Sequence, residues 1–487
     1  MGVSEADYFY DINWEQLAAE YLKPSRSLRE QRSSYHASRP QVPTLPPTLQ
    51  LRDYQKQAIG RWLRHQGRGT LKMATGSGKT IIALALTVEL YQKIGLQALL
   101  VVCPYRHLVT QWARECEHFN LQPILAFESV HNWQNHLSTQ LYNLQAGNQG
   151  FVTILTTNST LLSLSLRSQL KFLPAKTLIV GDEAHNLGSP QLEAALPRNL
   201  GLRLALSATP ERYFDDDGTD LLLSYFGGIL KPEFTLADAI AASALVRYLY
   251  YPIFVELTPA ESHAYAKLTK RIGWALQKNE NLGSDSMLTP LLMQRSRLVG
   301  AAANKLNALS DLMQSRRHTT HTLFYCGDGT VETPEGSQRQ VNAVAKLLGA
   351  KLGYRVNTYT AETPLPQRET LREQFERGEL QGLVAIRCLD EGVDIPAIRH
   401  AVILASTGNP RQFIQRRGRV LRPYPGKEQA TLFDTIVLPP NLDRDTWEVE
   451  RSLLRKEIKR FLEFAALAEN APEARQKLLS LQDRYGL

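Results

Sequence analysis

Cysteine is scarce in this chain: there are four among 487 residues, Cys103, Cys116, Cys326 and Cys388. None forms a CxxC pair, and no Cys/His spacing matches a zinc site. Each lies in or beside an apolar stretch, so reduced core thiols and a reducing, cytoplasmic setting are expected. Long apolar runs are also missing. Nowhere do ~18 apolar residues follow one another without charge, so no membrane span is expected. The acidic start, MGVSEADYFYDINWEQ, lacks the apolar core of a secretory signal. No acidic-acidic-Lys cluster and no His-Lys-Asp repeat occurs outside the motifs described below, so no nuclease is evident in the sequence. Acidic residues are in modest deficit, 48 Asp and Glu against 56 Lys and Arg, for a net charge of +8. That balance favours a polyanionic partner without naming one.

What is present is ordinary for a globular protein, at 43% hydrophobic and 21% charged residues. The length suits about three domains at ~150 residues each. Residues 1–48 read as a short helix, INWEQLAAEYL, followed by a basic strap rich in Ser, Arg and Pro. Short apolar runs then alternate with helical spacing over 49–235: ALLVVCP, FVTILTT, TLIVGDE and RLALSAT. The alternation lapses over 236–315, expected as a helical connector, and resumes over 316–440 with HTLFYC, RVNTYT, GLVAIRC and HAVILAS. Such runs, each ending in a polar or glycine-containing turn, are the pattern of strands in a buried parallel sheet. The expected fold class is therefore α/β, with two doubly wound parallel-sheet domains, a helical connector and a short helical C-terminal extension over 441–487. Within the connector, RYLYYPIFVEL reads as a core strand in preference to a base-stacking platform.

The stretch MATGSGKT, residues 73–80, joins an apolar lead to a helix. Gly76 and Gly78 let the backbone bend so that N–H groups of Thr75, Gly76, Ser77 and Gly78 can face a phosphate. Lys79 adds a positive charge at the β/γ oxygens, the Thr80 hydroxyl suits Mg²⁺, and the helix points its positive end at the anion. Met73 stands where the usual motif begins with glycine. Downstream, Asp182 and Glu183 end an apolar run. Paired with a phosphate loop, Asp182 is expected to hold Mg²⁺ and Glu183 to polarise the attacking water. His185 follows at once, and its nearness to these carboxylates suggests a link to Ser207 and Thr209 in LSATP. Trp112 is expected to pack in a core.

Taken together, TGSGKT, GDEAH, LSATP and QRRGRVLRP occur in an order that resembles the superfamily 2 helicases and translocases, with GDEAH matching a DEAH box. The likeness runs from Leu51 to about Pro440. It implies two tandem RecA-like domains that use ATP and Mg²⁺ and bind nucleic acid. By the same resemblance Gln55 reads adenine, with Arg52 beside it, in LRDYQ. Arg106 in PYRHL and Thr156 or Thr157 in LTTNS contact the nucleic-acid backbone. Ser207 and Thr209 couple hydrolysis to domain movement. Gly392 and Asp394 in CLDEGVDIP sense the nucleotide from the second domain. Arg419 and Arg422 fall on arginine-finger positions, with Gln415 and Arg416 alongside. Ile386 and Arg387 replace the usual hydroxyl and acidic residues of that region, so Arg387 is expected to supply the missing phosphate contact.

The motif set is closer to DNA-directed members, such as type I and type III restriction motor subunits and excision-repair helicases, than to RNA-remodelling ones. Over the whole chain the likeness is to helicase-like proteins of bacterial defence and phosphorothioation-linked restriction. The expected activity is ATP-dependent movement on, or remodelling of, duplex or forked DNA in restriction, defence or repair. The alternatives are an ATP-gated DNA clamp or scaffold that recruits a nuclease, and an RNA helicase.

Overall fold

The computed structural model describes residues 14, 42–212, 215–282, 288–333, 336–360, 362–386, 395–405, 417–440 and 444–486. Arg387, Gly392, Asp394, Gln415 and Arg416 lie outside the described residues, as does nearly all of the N-terminal strap. The chain divides into two compact units, Met1–Leu236 and Ala237–Leu487.

In the first unit six strands form one parallel sheet: β1 (Arg68–Lys72), β2 (Ala98–Cys103), β3 (Pro123–Ala126), β4 (Val152–Thr157), β5 (Thr177–Asp182) and β6 (Leu202–Ser207). Their order is β1-β6-β5-β2-β4-β3, and every pairing is parallel. β2, β4, β5 and β6 are buried along their whole length, which explains their unbroken apolar runs. Helices cover the sheet, and its core joins Leu100, Ile154 and Ile179 to Trp133, Leu137 and Phe226. Cys103 and Cys116 are buried free thiols. Burial pushes the Cys116 thiol up to about 12, far from the reactive thiolate range.

The second unit repeats the plan with β7 (Arg247–Glu256), β8 (Thr322–Cys326), β11 (Val356–Tyr359), β12 (Gly382–Ile386), β13 (His400–Ile403) and β14 (Gln429–Leu438). Their order is β11-β12-β8-β13-β14-β7, again all parallel. A small antiparallel hairpin, β9 (Thr330–Thr333) and β10 (Gly336–Arg339), follows β8. The segment 236–315 differs from a purely helical connector, because β7 lies within it and pairs with β14 from Arg247 to Glu256. The apolar and aromatic residues of RYLYYPIFVE decide this: Tyr248 and Tyr250 turn to one face against Phe464, while Tyr251 and Ile253 pack on the core of the other.

β7 is an edge strand, and the C-terminal helices protect it. Asn470 mimics a strand residue: its Oδ1 accepts from Tyr250 N–H at 2.9 Å and its Nδ2 donates to Tyr250 C=O at 3.0 Å. An exposed edge is thereby closed to other chains. Helix Arg444–Ala465 also anchors Arg295, which is 7% exposed and donates to Glu450 and Glu457 at 3.1 Å each. Arg295 is thus a structural ion-pair residue.

Two buried charges hold the interior of this unit. Arg417 pairs with Asp434 on β14, and Tyr250 Oη donates to the same carboxylate at 3.0 Å. Lys305 is 1% exposed and donates to the carbonyls of Leu404 and Gly300. Burial, opposed by the attraction of Asp434, lowers its ammonium to about 8. Replacing Asp434 with Ala strands a buried guanidinium, with an expected loss of about 3–5 kcal/mol of stability, measured by denaturant unfolding. For Lys305 the sign follows from proton counting. Below pH 8 folded and unfolded chains both hold the proton, whereas between about 8 and 10.5 the unfolded chain alone retains it. Wild-type stability relative to Lys305→Met is therefore expected to rise by about 1.4 kcal/mol per pH unit in that window, read from paired melting curves.

Candidate active site

In the first unit the motif residues gather along one edge of the sheet, where β1, β2, β4, β5 and β6 end. Parallel α/β sheets place their ligands at this edge because the loops there open helices whose N–H groups face outward. β1 leads into the loop 73–78, and the helix Lys79–Ile94 starts immediately after it. Gly76 and Gly78 take positive φ values of 81° and 76°. A side chain at Gly78 would be doubly blocked, since an added Cβ would lie 2.6 Å from Gln55 Nε2. Lys79 Nζ donates back to the carbonyls of Met73 at 3.1 Å and Ala74 at 3.2 Å. The loop is pinned on its outer side by Tyr54 Oη, which donates to Ser77 C=O at 2.9 Å. Tyr54 in turn stacks on Phe234 with ring centroids 4.1 Å apart.

Asp182 ends β5 and is 8% exposed. Its Oδ2 accepts from Trp112 Nε1 at 2.8 Å and its Oδ1 from the N–H of Glu183 at 2.9 Å. Glu183 occupies the left-handed region at φ 43° and ψ 51°. A non-glycine residue there stores strain of about 1–3 kcal/mol, which must be offset by its surroundings. Asn186 helps, donating to Glu183 C=O at 3.1 Å.

His185 is buried between the carboxylates and Ser207. Its Nδ1 lies 3.2 Å from Ser207 Oγ and 3.6 Å from Glu183 Oε2, while Asn186 Nδ2 sits 3.0 Å from Nε2. With the Asn186 amide donating to Nε2, the proton belongs on Nδ1, directed at Ser207 and Glu183. Ser207 Oγ also accepts from Thr209 N–H at 3.1 Å, and Ser207 C=O accepts from Met73 N–H at 3.0 Å. Ser207 is thus bonded to the phosphate-loop strand, to His185 and to Thr209. Arg212 braces the arrangement by donating to His185 C=O and to Asp215, at 2.5 and 2.6 Å.

The residues fit a polyphosphate with its cation. Ser77 Oγ and Thr209 Oγ1 are buried with no hydrogen-bond partner. Gly76 and Gly78 add no side chain to the loop, and Asp182 offers a carboxylate at the same sheet edge.

Residues 48–212 match the family "Type III restriction enzyme, res subunit", and residues 304–424 match "Helicase conserved C-terminal domain". The chain belongs to the superfamily 2 helicases. By class it is an ATPase helicase enzyme. It is 27% identical to the DNA 3'-5' translocase XPB2 of Sulfurisphaera tokodaii over 414 residues, covering 82% of this chain and 84% of that one. It is 26% identical to a putative DNA 3'-5' helicase Rad25 of Haloarcula marismortui, covering 77% of this chain and 51% of the relative. Among solved structures, the type ISP restriction-modification enzyme LlaBIII shares the fold at TM-score 0.56 and 17% identity, with 86% of this chain and 31% of that one covered. The Pyrococcus furiosus Hef helicase domain does so at TM-score 0.50 and 17% identity, with 82% and 98% covered.

Other expected residues of this helicase are placed unevenly. Gln55 is buried, its Oε1 accepting from Arg52 N–H at 3.0 Å and its Nε2 donating to Ser77 C=O at 3.4 Å, so both ends of its amide are engaged beside the loop. Arg106 opens the helix Arg106–His118, and its side chain is 69% exposed and paired with Glu128 at 3.2 Å. Thr156 is fully buried and donates to Ala126 C=O at 2.8 Å, while Thr157 caps the next helical turn by accepting from Thr160 N–H. Both hydroxyls are hydrogen-bonded within the fold, as buried polar groups usually are.

In the second unit Arg419 and Arg422 are half-buried, Arg419 within and Arg422 just after the helical residues 417–420. Lys427 ties this turn down. Its ammonium donates to Pro396 C=O at 3.0 Å, Val420 C=O at 2.7 Å and Arg422 C=O at 2.8 Å. Sequence reasoning missed Lys427, Tyr54, Phe234, Asn186 and Arg212, and it saw in Trp112 only its bulk. The one available signal was chemical: a buried indole N–H usually finds an acceptor.

Gly78→Ala is expected to cost about 1–2 kcal/mol from the left-handed backbone alone, plus the displacement of Gln55. Gly147→Ala, at φ 75° with nothing within 4 Å of the added Cβ, isolates the backbone part. A larger drop in urea midpoint for Gly78→Ala than for Gly147→Ala measures the remainder.

Proposed function

We propose that this chain is an ATP-driven DNA translocase or helicase that uses Mg²⁺-ATP to move on or remodel duplex or forked DNA, in restriction, defence or repair. The observation that carries this reading is the convergence of Lys79, Thr80, Asp182, Glu183, His185, Ser207 and Thr209 on one edge of the first sheet. DNA as the nucleic acid is favoured by the likeness to the DNA 3'-5' translocase XPB2 and to the DNA 3'-5' helicase Rad25, and by the net charge of +8.

In this reading the loop 75–78 and the helix Lys79–Ile94 cradle the phosphates, and Lys79 supplies a positive charge that its carbonyl contacts hold in place. Thr80 and Asp182 would hold the cation. When bound, Mg²⁺ supplies neutralisation of charge on the phosphate oxygens. Glu183, held in a strained turn by Asn186, takes the proton of the attacking water. His185 and Ser207 then register the state of Glu183 and pass it to the loop through Met73. Arg419 and Arg422, kept in register by Lys427, are the arginines that stabilise the transition state. Arg106 contacts the nucleic-acid backbone, a role that its exposure permits.

The test is ATP turnover with single-stranded, duplex and forked DNA and with matched RNA. DNA is expected to raise turnover severalfold, and equal rates with and without every nucleic acid would reject the motor. Glu183→Gln is expected to slow hydrolysis by about 10²–10⁴-fold and Lys79→Ala to abolish it. Arg419→Ala should lower turnover by about 10³–10⁵-fold while ATP still binds.

A further inference from the structure

We propose that Trp112 is a positioning residue for Asp182: its indole N–H fixes the plane in which that carboxylate meets a divalent cation. The inference rests on the reading of Asp182 as the metal carboxylate.

An aspartate's terminal torsion is soft and roughly two-fold, so a carboxylate at a strand end can rotate unless something holds it. Here both oxygens are held, Oδ1 by the Glu183 N–H at 2.9 Å and Oδ2 by Trp112 Nε1 at 2.8 Å. Rotation in either direction breaks one of the two bonds. A carboxylate oxygen has two lone pairs, so one hydrogen bond to each does not by itself exclude a cation or its water. With Trp112 1% exposed and Asp182 8% exposed, bulk water offers little competition for the bond.

The donor is as rigid as the core around it. Trp112 lies on the helix Arg106–His118, whose buried face also includes Leu108, Val109 and Cys116. Packing alone does not account for the contact. Two other fully buried tryptophans show what an indole does without this task. Trp62 Nε1 donates to a backbone carbonyl, Arg203 C=O, at 3.0 Å, and Trp133 Nε1 has no partner. Of these three, Trp112 alone is aimed at a carboxylate of the candidate site. Partners of this kind orient ligands and tune their affinity, and removing one typically costs about 10–100-fold in metal binding.

The test uses the full chain carrying Glu183→Gln, so that ATP is bound without turnover. ATP affinity is measured by calorimetry with Mg²⁺ and again with EDTA, and the ratio of the two is the readout. Trp112→Phe keeps the ring and removes the N–H, and it is expected to lower the ratio by about 10–100-fold while affinity in EDTA holds. Trp62→Phe, which also loses a buried indole bond, should keep the parent's ratio. An unchanged ratio in Trp112→Phe overturns the proposal, as does an equal loss of affinity with and without Mg²⁺. A parent that binds ATP equally in Mg²⁺ and EDTA overturns both the metal reading of Asp182 and the role of Trp112, and it does so before any Trp variant is compared. Should Trp112→Phe fail to fold, the unaltered chain is labelled with 5-fluorotryptophan and followed by fluorine NMR. The other five tryptophans, Trp14, Trp62, Trp133, Trp274 and Trp447, are assigned by their own Phe variants. The Trp112 signal is expected to shift with Mg²⁺-ATP and not with metal-free ATP, and a signal that ignores the metal refutes the role.

Discussion

The site in the first unit depends on β1 lying beside β6 in register, which sets Met73 N–H against Ser207 C=O at 3.0 Å. That single backbone bond joins the strand entering the phosphate loop to the strand carrying Ser207 and Thr209. The same serine faces His185, and His185 faces Glu183. A slip of one residue would turn Ser207 to the opposite face and break the chain of contacts, because side chains alternate along a strand. The sheet's order also seats β5 next to β6, bringing Asp182 and Glu183 to the same edge. Functional chemistry here follows from sheet order more than from any loop.

The second unit solves a different problem, holding arginines at the end of a helical stretch. Arg417 is buried against Asp434, and Lys427 spends its donors on three carbonyls, two of them in that region. A buried charge left unpaired is costly, so each of these groups has one satisfactory position. Arg419 and Arg422 inherit that fixity. The C-terminal helices add to it by closing the β7 edge through Asn470 and by pairing Glu450 and Glu457 with Arg295.

Residue type and residue direction were not equally legible. All eight apolar runs singled out as strands are strands; most are continuously buried, which leaves an unambiguous pattern, although β11 is buried only at Tyr359. Lys79, Asp182 and Ser207 could be found because their motifs carry fixed spacing. For Thr156 and Thr157 the hydrogen bonds that their hydroxyls make inside the fold were not legible. RYLYYPIFVEL was legible as a core strand within 236–315, but its partner was not, because β7 pairs with the distant β14 at Gln429–Leu438, a pairing no local window can see. Tyr54 and Phe234 likewise meet across the whole first unit.

By itself the amino-acid sequence determined which segments could be buried strands, where the backbone had to bend at Gly76 and Gly78, and which side chains could bear charge on a phosphate. These are local properties of composition and spacing. Only the tertiary structure decided which donors those charged groups would meet. Trp112 reaches Asp182 across 70 residues, Lys427 reaches back 31 residues to Pro396, and Arg203 is spent on carbonyls of the core. A hydrogen bond depends on distance and angle in space, and chain separation carries no information about either until the sheet has closed.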